Sequence, residues 1–185
     1  MLPRIAAALA FVVACNAAPA PEVDRPAVVQ PGGWVWFTSA DDNFRALFPV
    51  TPETDVTVTD KLLTTVTTRT YAATGADGAR FLVLCVHEPL TLGLTGVDAQ
   101  LDVLRDRSTR GADATIESEQ TITLDGRPAR ELELRFPTHG QQRGRARVFI
   151  DRATATGCVL IAAPGDRSLP IDDMRRFFDA FELSP

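Results

Sequence analysis

Cys85 and His87 stand two residues apart in the run Phe81-Leu-Val-Leu-Cys-Val-His87. In an extended strand that spacing places both side chains on one face, where an imidazole can take the proton of a thiol and leave a nucleophilic thiolate. Such a centre needs solvent access and a third group to orient the ring, and the sequence displays neither. The run is apolar on both faces, so the plainer expectation is a core cysteine beside a strand-end histidine. The other familiar arrangements are missing: there is no Gly-x-Ser-x-Gly, Cys-x-x-Cys, His-Glu-x-x-His or phosphate loop. With His87 and His139 as the two histidines, a histidine-rich metal site is excluded, and His87-Glu88 would point to opposite faces of a strand. The carboxylate pairs Asp41-Asp42 and Asp172-Asp173 suit a turn and the first turn of a helix. No catalytic residue, metal or cofactor is expected.

The three cysteines divide unevenly. Cys85 and Cys158 both sit in apolar, strand-like runs, and they are either bridged, if their strands are neighbours, or buried as separate thiols. Cys15 is different. It ends the uncharged run Ile5 to Ala14, which follows one positive charge at Arg4. That run matches the core of a signal peptide and falls short of the roughly 20 residues that a spanning helix needs. Cleavage after Ala18-Pro19-Ala20 would leave Pro21 beyond the scissile bond, a poor fit for a subsite built for an amide N–H.

The string Val12-Val13-Ala14-Cys15 resembles a bacterial lipoprotein signal. The resemblance implies a leader over residues 1–14 and a diacylglycerol on the Cys15 thiol. It also implies attachment to the cell envelope by two or more acyl chains, each buried CH₂ contributing about 0.8 kcal/mol. Asn16 stands where aspartate retains many lipoproteins in the inner membrane, so the same resemblance points to the outer membrane, facing the periplasm. Residues 15–33 carry Pro19, Pro21, Pro26, Pro31 and Gly32-Gly33, the composition of a tether.

About 170 residues remain after the leader, enough for one hydrophobic core over residues 34–185. A formal net charge of −5 and the lack of a basic run with interleaved aromatics argue against nucleic-acid binding. Eighteen arginines against one lysine follow from a GC-rich genome rather than from a need for guanidinium groups. One group of them is patterned. Arg143, Arg145 and Arg147 alternate along one segment, as Glu131 and Glu133 do along the one before it. Closing an antiparallel pair over residues 137–141 sets Glu131 opposite Arg147 and Glu133 opposite Arg145. The ladder then either neutralises itself or offers its arginines to an anion, and self-neutralisation is favoured.

The elements that must position these residues are mostly strands. Trp34-Val-Trp-Phe37 is aromatic and β-prone, and a turn at residues 39–43 leads to a short strand at Phe44–Phe48, stopped by Pro49 and Pro52. Val56 to Thr59 and Thr64 to Thr74 read as strands joined at Asp60-Lys61, and Gly75-Ala-Asp-Gly78 opens the way to the doubly apolar Phe81–His87, a central strand covered on each face. Val97, Leu101 and Leu104 recur at helical spacing, with Gly111 as the stop. Strands at residues 115–124 and 127–136 flank the two-residue hairpin signal Asp125-Gly126, and further strands cover 142–151 and 157–163. A last helix over 171–181 places Ile171, Met174, Phe177 or Phe178, and Phe181 toward the core, with Ser168 and Pro170 at its start.

Trp36 followed by Phe44-Arg-Ala-Leu-Phe-Pro49 and Pro52 resembles the opening of small bacterial envelope proteins of PsbP-like fold. The hairpin Ile122 to Leu132, the strand Arg145 to Ile150 and the closing Met174 to Leu183 are similar to the rest. The resemblance implies an α+β domain, a single antiparallel sheet flanked by two helices in a PsbP-like α/β sandwich, and it brings no catalytic residue. It favours a non-enzymatic, lipid-anchored binding or accessory module. Alternatives are a carrier of a small apolar ligand between sheet and helix, and a thiol-dependent hydrolase using Cys85 and His87. Trp34, Trp36 and Phe37 either cap the core edge or form a contact for an envelope protein partner or a glycan, with Trp34 and Trp36 placed on one face by alternation.

Overall fold

The computed structural model describes residues 33–61, 64–88 and 96–183. Cys15, the leader and the tether up to residue 32 lie outside the described residues. Among these, ten strands and two helices follow in the order β1 (Val35–Ser39), β2 (Phe44–Phe48), β3 (Glu53–Asp60), β4 (Thr65–Thr74), β5 (Arg80–His87), α1 (Val97–Gly111), β6 (Thr115–Leu124), β7 (Arg127–Phe136), β8 (Gln142–Asp151), β9 (Thr156–Ala163), α2 (Ile171–Asp179) and β10 (Glu182–Leu183).

The strands form two antiparallel sheets, where a single sheet was expected. Seven strands pair in the order β3-β4-β5-β9-β8-β7-β6, and three pair as β1-β2-β10. The reason lies at Pro49 and Pro52: proline has no N–H for a ladder, so β2 cannot run on into β3 in one sheet. The β1–β2 hairpin instead stacks on the large sheet and gains its third strand from Glu182 and Leu183, opposite Arg45 and Phe44.

Alternation along the central strands sends side chains into two separate cores. Phe81, Val83 and Cys85 of β5 join Cys158, Leu160 and Ala162 of β9 on one face, packed against Phe44, Phe48, Phe177, Phe178 and Phe181. On the other face Leu132, Leu134, Val148, Ile150, Val159 and Ile161 meet Leu101 and Leu104 of α1. The aromatic core is linked ring to ring: Phe44 stacks on Phe181 at 5.4 Å, and Phe177 meets both Phe48 and Phe81 edge-on at 5.5 and 5.4 Å.

The helices depart from their expected ends. Gly111 remains helical, and the chain leaves α1 through Asp113 (φ 50), after Ala112 N–H bonds the Ser108 carbonyl at 3.0 Å. α2 closes at Asp179, so Phe181 reaches the core from beyond the helix. Ile171 is 66% exposed, because Leu169 takes the buried position ahead of the first turn. The β6–β7 turn is built as its residues suggest: Asp125 (φ 47) and Gly126 (φ 78) both adopt positive φ, the geometry whose twist matches a two-residue hairpin.

A candidate ligand cleft under helix α1

β5, expected to be covered on both faces, is only partly covered on one of them. α1 crosses β7, β8 and β9 and stops short of β4 and β5. The even-numbered residues Leu82 and Leu84 therefore stay half-buried. Between them, the flank of α1 and the end of β9 lies a cleft of about 440 Å³. Its floor is apolar: Leu82, Leu84 and Val86 from β5, Val159 and Ile161 from β9, and Leu104 from the helix. Gly157 lets the helix come close at one end, since a Cβ there would lie 2.7 Å from Leu104 Cδ1. The polar groups that line the cleft are Thr68, Arg80, Arg107, Ser108 and His139. A concave apolar site with a few polar groups is the usual shape of a small-molecule pocket, and about 300–1,000 Å³ is the usual size.

Each residue singled out in the sequence has a definite place. Cys85 and Cys158 face each other in register on β5 and β9, with Cα atoms 4.2 Å apart and the sulfurs joined as a disulfide. Both are 1% exposed, on the face away from the cleft. In this state Cys85 carries no free thiol, and His87 Nδ1 is 2.8 Å from Thr156 Oγ1, its register partner. Buried Glu88 accepts from Lys61 Nζ at 2.5 Å, while His139 leans on Phe136 with ring centroids 6.4 Å apart. Among the described residues no cluster of metal-ligating side chains forms.

Trp34, Trp36 and Phe37 do not share one surface. Trp34 precedes β1, so strand alternation does not govern it, and its ring meets Phe81 edge-on at 5.2 Å with 6% exposure. Phe37 turns inward onto Phe44, Phe48 and Tyr71. Trp36 carries the Arg45 guanidinium over its ring at 3.9 Å.

A polar clasp joins the two sheets. Tyr71 of β4 donates to Asp42 Oδ2 at 2.7 Å, Ser39 Oγ lies 2.8 Å from the phenol, and the Asp42 N–H donates to Ser39 Oγ at 3.2 Å. Arg69 donates to Asp42 Oδ1 at 3.2 Å and completes the carboxylate's set. Burial, with the Asp42 carboxylate adding to it, pushes the phenol well above the ordinary tyrosine range. The group is thus held neutral and serves as a donor.

Charges also seat α1. Arg130 of β7 donates to Asp102 at 2.6 Å and to Glu119 of β6 at 2.7 Å, and Arg105 reaches Asp102 and Glu119 at 3.0 and 3.3 Å. The hydrogen bond from Arg130 holds the Asp102 carboxyl below the usual carboxylate range. Glu131 pairs with Arg147 at 2.6 Å and Glu133 with Arg145 at 2.8 Å, in the register set by the loop after β7. The arginines of that ladder are engaged by their own carboxylates.

The cleft escaped the sequence reading because it depends on where α1 ends on the sheet. Its traceable signal is Arg80 heading the series Leu82, Leu84, Val86, a cation on the same face as an apolar stripe.

The fold is an antiparallel α+β domain with helices on both faces of its large sheet. The sequence matches no family model and no curated protein. Among solved structures it is similar to the solution structure of cyanobacterial PsbP (CyanoP) from Synechocystis sp. PCC 6803, with 12% identity, a TM-score of 0.49, and coverage of 84% of this chain and 95% of that one. No helix among the described residues is long and apolar enough to cross a membrane.

Proposed function

We propose that this chain is a non-enzymatic binding module of the bacterial envelope, anchored through lipid on Cys15, and that it carries a small apolar molecule in the cleft beneath α1. One observation supports the binding reading above the others: an apolar cleft of about 440 Å³ stands open beside α1. The anchor is supported by the leader and by Cys15, and the PsbP-like resemblance of the motifs around Trp36 and Asp125-Gly126 belongs to the same reading. The thiol-hydrolase alternative is the weaker one, since Cys85 is spent in a buried disulfide.

The neutral dye N-phenylnaphthylamine tests the cleft. It should bind saturably at one site, and Leu84→Trp, which fills the floor, should weaken it about tenfold or more. A dye that fails to saturate, or that binds Leu84→Trp equally well, overturns the carrier reading. The anchor is tested by metabolic labelling with a fatty acid: equal label on wild type and Cys15→Ser removes it.

A further inference from the structure

We infer that the cleft selects an amphiphile with one apolar chain and an anionic head, of the fatty-acid type, bound with its head at Arg80 and Arg107. This rests on the reading of the cleft as a small-molecule site. The chain is acidic overall, with 24 Asp and Glu and a formal net charge of −5, yet among the described residues no carboxylate lines the cleft; two arginines and His139 do. Of the other described arginines, Arg45, Arg110, Arg152, Arg167 and Arg176 pair with no described carboxylate, but none of them lines the cleft, and the rest meet carboxylates. Arg69, Arg105, Arg127, Arg130, Arg145 and Arg147 each meet at least one carboxylate. Arg80 and Arg107 make no ion pair among the described residues, and both stand at the apolar floor. Arg80 opens β5 on the face of Leu82 and Leu84, and Arg107 follows Leu104 by one helical step of three. Guanidinium groups beside a partly dry floor match an anion whose tail covers Leu84 and Ile161. A volume of about 440 Å³ is near the low end for ligand pockets, which favours one chain over two.

The test compares decanoate with decan-1-ol by calorimetric titration of the full chain carrying Cys15→Ser, so that no acyl chain of its own competes. Decanoate should bind about tenfold tighter or more, the scale of a hydrogen bond to a charged group. Arg80→Ala with Arg107→Ala should erase that preference, so that decanoate and decan-1-ol bind the variant alike. Equal binding of acid and alcohol, or a preference that survives both substitutions, overturns the head assignment while the cleft reading stands. Binding of neither overturns both. Circular dichroism of each variant confirms the fold.

Discussion

Tyr71 Oη donates to Asp42 Oδ2 across the gap between the two sheets, over 2.7 Å, and both residues are buried. The β1–β2 hairpin and β4 are not hydrogen-bonded as strands, so this side-chain contact does part of what a ladder would do. The clasp depends on the proton: a tyrosinate beside the Asp42 carboxylate would set two anions together away from water.

Tyr71→Phe should therefore lower stability by about 1–3 kcal/mol, the cost of leaving a buried carboxylate short of a donor. The pH dependence has a definite sign. The folded pKa is raised above that of the unfolded chain, so the stabilisation is complete below about pH 10 and is lost as pH rises through the folded value. Tyr71 is the one tyrosine in the sequence, so the tyrosinate absorbance band reads this group alone. Ionisation of the native protein at the same pH as the unfolded chain would contradict the clasp.

The Cys85–Cys158 bridge closes a loop with a sequence separation of 73 between adjacent central strands. Loop closure of that length corresponds to about 4 kcal/mol of stabilisation, mostly through the unfolded chain. Urea unfolding of the reduced protein, or of the double variant Cys85→Ala and Cys158→Ala, should show a midpoint lowered to match. Dye binding should persist, because the bridge lies on the face away from the cleft. An unchanged midpoint on verified reduction would count against the bridge as a stabilising element.

Local chemistry was legible where it acts over a few residues. Asp125-Gly126 announces its hairpin because both residues tolerate positive φ, and the alternation of Glu131, Glu133, Arg145 and Arg147 carries the register of β7 on β8. What could not be read depends on partners distant in the chain. Phe181 keeps helical spacing with Phe177 and Met174, so the spacing alone conceals that the backbone extends after Ala180 and sends Glu182 to β2. The third strand of the small sheet was hidden at that point, while the split into two sheets lies at Pro49 and Pro52. The cleft is a vacancy between elements, fixed by the seat of Leu104 over Gly157, and no window of sequence contains both.

Arg147 should prove more costly to remove than Arg145. It donates to Glu131, bonds the Phe178 carbonyl at 2.9 Å and lies 5.1 Å from the Phe178 ring, with its side chain 16% exposed. Arg145→Ala acts on a more solvated pair and should cost at most about 1 kcal/mol. Arg147→Ala should cost about 1–3 kcal/mol, because Glu131 then loses its closest partner in a half-dry site. A double-mutant cycle with Glu131→Gln measures the coupling, and equal losses at the two arginines would show that burial does not set the difference.

The glycines of the β9 region should separate backbone contact from side-chain contact. A Cβ on Gly165 would sit 2.2 Å from the Gly78 carbonyl carbon and 2.6 Å from Ala79 N, so alanine there must push apart the loops that follow β9 and precede β5. Backbone cannot yield as a rotamer can, and Gly165→Ala should cost about 1–3 kcal/mol. At Gly157 the obstacle is the tip of Leu104, which can shift, so Gly157→Ala should cost less, about 1 kcal/mol. Leu104 also lines the cleft, so the milder variant should be the one that alters N-phenylnaphthylamine affinity. Gly96→Ala, with nothing within 4 Å of the added carbon, serves as the contact-free control and should cost about 0.5–1 kcal/mol, the scale of placing alanine at the N-cap of α1. Denaturant midpoints and dye titrations on the three variants decide it: Gly165→Ala tolerated like Gly96→Ala would mean that the contact between these loops is absent in solution.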